Sequence, residues 1–84
     1  MSADQRFWGK YSGSVIDNSD PEGLFRIRVL CPQILGAAES GWAKPSLPPG
    51  IVAVPPIGAR VWIEFEGGDP TMPIWTGIWF DAPP

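Results

Sequence analysis

The chain has 84 residues, a formal net charge of −3 and 44% hydrophobic residues, with 5 Trp, 11 Pro, 1 Cys and no His. That length allows one domain with a thin core, the hydrophobic content excludes a disordered chain, and the 6 basic residues, spread singly, lack the footprint of a nucleic-acid binder. One cysteine excludes an internal disulfide and fits a reducing cytoplasm, while the lack of His removes the commonest general base and any Ser–His or Cys–His pair.

Met1 to Trp8 carries charges at Asp4 and Arg6 and no apolar run, so no signal peptide is expected there. The first strand is read over residues 8–17, with Tyr11, Gly13 and Val15 on one face and Lys10, Ser12 and Ser14 on the other. Residues 18–23, Asn-Ser-Asp-Pro-Glu-Gly, are dense in turn formers. A second strand follows over Leu24 to Cys31. Phe25, Ile27 and Val29 are expected inside, Arg26 and Arg28 outside, and Pro32 ends the strand.

Residues 32–56 are too long for a bare loop in a compact domain. Short strands at Gly41–Lys44 and Ile51–Val54 are expected within them, and one helical turn at Ala37-Ala38-Glu39. Pro45, Pro48 and Pro49 keep the remainder irregular and extended. The most apolar run, Ile51 to Ile57, is broken by Pro55 and Pro56 and cannot span a bilayer.

The fourth strand, residues 60–66, alternates cleanly. Val61, Ile63 and Phe65 belong to the core; Arg60, Glu64 and Glu66 face solvent. Gly67-Gly68 signals a hairpin turn. The fifth strand, residues 73–80, is apolar on both faces, with Ile74, Thr76 and Ile78 on one and Trp75, Gly77 and Trp79 on the other. Such a strand is covered on both sides, and in so small a domain the second cover comes from another chain. Gly77 marks a bulge or a close backbone approach. The core is thus expected to contain Val15, Phe25, Ile27, Val29, Val61, Ile63 and Phe65. Short strands, Gly-rich turns and little or no helix predict an all-β, five-stranded antiparallel OB-fold barrel over residues 7–80, in a single domain 1–84, with an SH3-like barrel as the second choice.

Signals for chemistry are weak. Glu64 and Glu66 share a strand face about 7 Å apart, a spacing paired glycosidase carboxylates also use, but a solvated face has nothing to separate their pKa values. Residues 17–20, Asp-Asn-Ser-Asp, resemble the start of a calcium loop, yet Pro21 stands where a ligand is required. No catalytic residue, metal site or cofactor is expected. Single-strand nucleic-acid binding is the alternative function: Tyr11, Trp42 and Trp62 supply aromatics, and Arg26 and Arg28 supply charge. Against it stand the acidic balance and the nearby Glu64, Glu66 and Asp69.

Three segments in order carry a resemblance. Residues 11–32, YSGSVIDNSDPEGLFRIRVLCP, run strand, Asp-Pro turn, Arg-rich strand. Residues 40–43, Ser-Gly-Trp-Ala, precede a Pro-rich stretch. Residues 55–80 read PPIGARVWIEFEGGDPTMPIWTGIWF. Together they resemble the OB-fold domain of phage baseplate assembly protein V and of the related spike proteins of contractile-tailed phages and type VI secretion. The family often has Gly where this chain has Phe25. The resemblance implies a structural part of a contractile injection device, in a virion tail baseplate or a tailocin-like particle. Spike proteins continue into a β-helix, whereas this chain stops at Pro84, which implies a separate hub or spike-base piece. It further implies a homotrimer that joins a tail hub protein to a spike or tip protein, with no catalysis and no cofactor, while the acidic balance and the short apolar runs lead us to expect no nucleic acid and no stable membrane insertion. Trp62, Ile74, Ile78 and Trp42 are the candidate interface residues.

Overall fold

The computed structural model describes residues 5–84, so the N-terminal reading from Met1 through Asp4 lies outside the described residues. Five strands and one short helix follow in the order β1 (Tyr11–Asp17), β2 (Arg28–Leu30), α1 (Pro32–Leu35), β3 (Lys44–Pro45), β4 (Arg60–Phe65) and β5 (Pro73–Trp79). They form one sheet of order β2-β1-β4-β5-β3. β1 pairs antiparallel with β2 and β4, and β4 antiparallel with β5.

The sheet is OB-like, but it is mixed where an antiparallel barrel was expected. β3 runs parallel to β5, because the crossover through α1 returns the chain along β5 in the same direction. Beyond the named strands, Ile27 and Ala43 exchange N–H···O=C bonds of 3.2 and 2.7 Å, which ties the β2 side to the segment entering β3. This bridge draws the two edges of the curled sheet together. Ser40 extends the seam: its N–H donates to the Val29 carbonyl at 2.9 Å, and its hydroxyl accepts from the Val29 N–H at 3.0 Å.

Inside sit Val15, Ile27, Val29, Cys31, Ala43, Val61, Ile63, Phe65 and Trp75. The alternating strands put them there, since every second side chain of a strand faces one side. Gly13 lets β1 and β4 close up, because a Cβ there would lie 3.0 Å from Ile63 Cγ1 and from the Leu30 carbonyl.

Several expectations are corrected. Phe25 is not in the core; it is 39% exposed, at φ 60. A left-handed residue cannot continue a strand, so β2 is only Arg28–Leu30, with Ile27 in an isolated bridge. β1 starts at Tyr11. The helical turn lies at Pro32–Leu35 instead of Ala37–Glu39, with Pro at its start and Gly36, at φ 60, ending it. Of the two short strands expected between residues 32 and 56, one is the two-residue β3. Ile51–Val54 is not a strand, since it pairs with no neighbour. Glu66 lies past β4, in a 3-10 turn with Gly67 and Gly68.

Candidate interaction surfaces

The β1–β2 loop is organised by one carboxylate. Asp20 accepts from the backbone N–H groups of Glu22, Leu24 and Arg26 at 3.0, 3.1 and 3.3 Å. It also accepts from Arg26 Nε and Nη2, both at 2.8 Å. Its side chain is 3% exposed. The Arg26 guanidinium holds the Asp20 carboxyl far below the usual range; burial opposes this, and the three backbone donors reinforce it. The same pairing raises the Arg26 pKa. The fold that results leaves Leu24 and Phe25 exposed at the tip. The Phe25 carbonyl faces inward and accepts from the indole N–H of Trp75 at 3.1 Å. The carboxylates that resembled a calcium loop are therefore occupied, with Asp17 accepting from the Ser19 N–H at 2.9 Å.

On the outer side of β4 and β5, Trp62 and Trp79 lie with ring centroids 5.8 Å apart. Their meeting depends on a bulge. Ile63 pairs with Trp75 but Val61 pairs with Ile78, so β5 carries one extra residue opposite Trp62. Gly77, at φ 144, stands in it. Past the bulge the faces swap: Trp79, opposite Arg60, joins Trp62 and Ile74 on the outer face, while Ile78, opposite Val61, turns toward the barrel interior side. The candidate residues Trp62, Ile74 and Ile78 therefore do not form one patch. The Trp79 indole N–H and the Thr76 hydroxyl are buried here without a hydrogen-bond partner.

Ile78 instead lines an apolar cavity of about 330 Å³ with Leu47, Ile51, Val54, Pro55 and Trp75. Beside it Val52, 71% exposed, Ile57 and Phe80 project into solvent. Trp42, the remaining candidate, lies apart from both regions and is half-buried under two guanidinium groups, with Arg28 Cζ 4.9 Å and Arg26 Cζ 5.7 Å from its ring centroid. Sequence reasoning missed Trp75 as a core residue and Trp79 as a partner of Trp62. The signal for the second was Gly77, whose bulge reverses the alternation.

The Glu64–Glu66 carboxylate pair is not assembled, because Glu66 has left the strand and pairs with Lys44. Among the described residues no three acidic or cysteine side chains gather as metal ligands would, and no helix is long and apolar enough to cross a membrane. Cys31 is buried, and burial pushes its thiol pKa up, which leaves little of the reactive thiolate. Asp69 is held low chiefly by the backbone and hydroxyl groups of Thr71, which both donate to it at the turn into β5.

The sequence model of a family described as the type VI secretion system/phage-baseplate injector OB domain matches residues 11–80. No curated protein sequence matches the chain.

Proposed function

This chain belongs to the type VI secretion system/phage-baseplate injector OB domain family, and on that premise we propose that it is a non-catalytic assembly part, a homotrimeric ring seated between a tail hub protein and a spike or tip protein. The observation that carries the reading is the apolar surface. Ten large apolar side chains are exposed among the described residues, with Ile51, Val54 and Ile78 lining one apolar cavity and Trp8 and Leu24 elsewhere. A chain this short has little core to spare, and so much exposed apolar area marks surfaces that partners cover. In a ring, each copy presents one patch to one neighbour and a different patch to the other, so separate apolar regions are covered at once. The outer Trp62–Trp79 pair, with Ile74, offers such a region, and the cavity at Ile78 another. The role calls for no cofactor and no membrane insertion, and it locates the protein in the tail baseplate of an injection device.

Charge pairing weighs against single-strand nucleic-acid binding. Arg26 is neutralised by Asp20 and Glu22, Lys44 by Glu66 and Arg60 by Asp81, whereas a strand-binding groove needs a track of open cations.

Purified protein is expected to self-associate or to bind a hub protein of the same device in analytical ultracentrifugation. Trp62→Ala should weaken that association while the circular dichroism spectrum stays β-rich, because buried Trp commonly dominates interface energy. A monomer that binds neither hub nor spike protein would refute the reading, as would micromolar, salt-sensitive affinity for an oligonucleotide.

A further inference from the structure

Among the described residues, one arginine is braced on an aromatic ring and stands outside the ion pairs. Arg26, Lys44 and Arg60 are in ion pairs, and Arg6 is also engaged. Lys10 is an exposed side chain ahead of β1. Among the described residues Arg28 takes part in none of the ion pairs, although the chain carries 9 acidic residues against 6 basic ones. Its guanidinium lies over the Trp42 ring, 4.9 Å from the centroid. Its Nε–H is buried without an acceptor, whereas its terminal nitrogens are not among the buried unpartnered atoms. Asp17 stands opposite it in the β1–β2 register, but the Asp17 carboxylate is turned to the Ser19 N–H.

We propose that Arg28, braced on Trp42, is a docking point for an Asp or Glu side chain of a partner protein. A guanidinium over an aromatic ring engages the ring through its face, and the N–H groups, which lie in its plane, are left to donate elsewhere. A planar fork fixed in this way matches a carboxylate, which accepts two parallel N–H bonds. Cation–π contact also limits the freedom the side chain would lose on binding. The surroundings select the partner: Arg26 on the same ring is already neutralised, and Asp20 and Glu22 beside it would repel successive phosphates of a nucleic-acid strand. A single open fork fits a single carboxylate.

The test uses the full chain at physiological ionic strength and follows the Trp42 indole N–H and the Arg28 Nε–H by NMR. The probe is an acetylated, amidated Gly-Glu-Asp-Glu-Gly peptide; controls are its Gln/Asn counterpart and oligothymidylate. The acidic peptide should shift both signals saturably, with Kd on the order of 1 mM. Arg28→Gln, and Arg28→Lys, which keeps the charge but loses the fork, should each weaken binding about tenfold or more; Lys10→Gln should leave it unchanged. Equal shifts with the neutral peptide, or undiminished binding by both Arg28 variants, would overturn the proposal. Saturation by oligothymidylate in place of the acidic peptide would identify a phosphate surface instead. If Asp17→Asn moves the Arg28 Nε–H of the free protein as far as the peptide does, the fork is closed from within and the proposal fails. None of these results depends on ring formation, so a monomer that still binds the peptide would remove the trimer reading alone.

Discussion

Two of the connections of this barrel, β1–β2 and β3–β4, are held in opposite ways. Between β1 and β2, Asp20 gathers three backbone N–H groups and a guanidinium, and Trp75 fixes the Phe25 carbonyl from below. Between β3 and β4 the ends are tied, with the Ser46 N–H donating to the Trp75 carbonyl and the Gly58 N–H to the Val15 carbonyl, but the middle, residues 47–55, is held more sparsely: the Ile51 N–H donates to the Pro48 carbonyl at 3.2 Å, and the Asn18 side-chain amide donates to the Pro55 carbonyl at 3.0 Å. There the prolines limit the conformations open to the backbone before folding. The first connection satisfies itself through charge and hydrogen bonds. The second leaves Ile51 and Val52 outside, and so keeps apolar surface available to other chains.

The largest expected effect comes from Asp20→Ala, which strips the acceptor from the first connection. Its melting temperature should fall further than a change at Trp75, Phe25 or Val52 would bring about, and the Leu24 and Arg26 amides should exchange about tenfold faster or more. The acid limb carries the same information. Because the folded-state pKa of Asp20 is depressed, its contribution is complete above the unfolded value of about 3.9 and is lost as pH falls below it toward the native value. Urea midpoints of the wild type should therefore drop below about pH 4, and the variant should show a shallower limb.

Next comes Trp75→Phe, which keeps a ring in the core and withdraws the donor from the Phe25 carbonyl; a loss of about 1–2 kcal/mol in urea unfolding is expected. A smaller effect separates two variants of one residue. Phe25→Gly accepts the positive φ that Phe25→Ala must strain to keep, so the Gly variant should be the more stable by about 1 kcal/mol. The reverse order would show that the loop relaxes out of the left-handed conformation. Smallest is Val52→Asp in the second connection. Its stability should change by less than about 0.5 kcal/mol, while association measured by ultracentrifugation weakens. A large loss of stability there would erase the contrast between the two connections.

The same contrast explains what could be read in advance. β4 was legible because Val61, Ile63 and Phe65 alternate without interruption and all three are buried. Phe25, Ile27 and Val29 alternate just as well, yet only the last two are inside. The departure comes from Asp20, five residues upstream, whose bonds to Leu24 and Arg26 turn the backbone through φ 60 at Phe25. A pattern of period two records side-chain polarity and carries no trace of such a carboxylate. In β5 the sequence did contain the signal, Gly77, but the number of residues in the bulge is fixed only by pairing with β4, and it moved Ile78 and Trp79 to exchanged faces. The apolar character of Ile51–Val54 was legible, and its lack of a strand partner was not, because pairing is a property of the assembled sheet.

The seam beside β3 has a kinetic consequence. β1, β4 and β5 are joined by long antiparallel ladders, whereas closure rests on a two-residue strand, the reciprocal Ile27–Ala43 pair, the two Ser40–Val29 bonds and the Ser46 N–H donating to the Trp75 carbonyl at 2.9 Å. The loop closed by the Tyr11–Ile63 pairing is longer than the one closed by Lys44–Ile74, but it is offset by a full antiparallel ladder, whereas the Lys44–Ile74 contact gains only a few bonds against its loop-closure entropy. On this ground the open, curled ribbon is expected to form first and the seam to shut last. Any neighbour that grips both sides of the seam slows its reopening, and so lengthens the lifetime of the closed barrel with no added contact in the core.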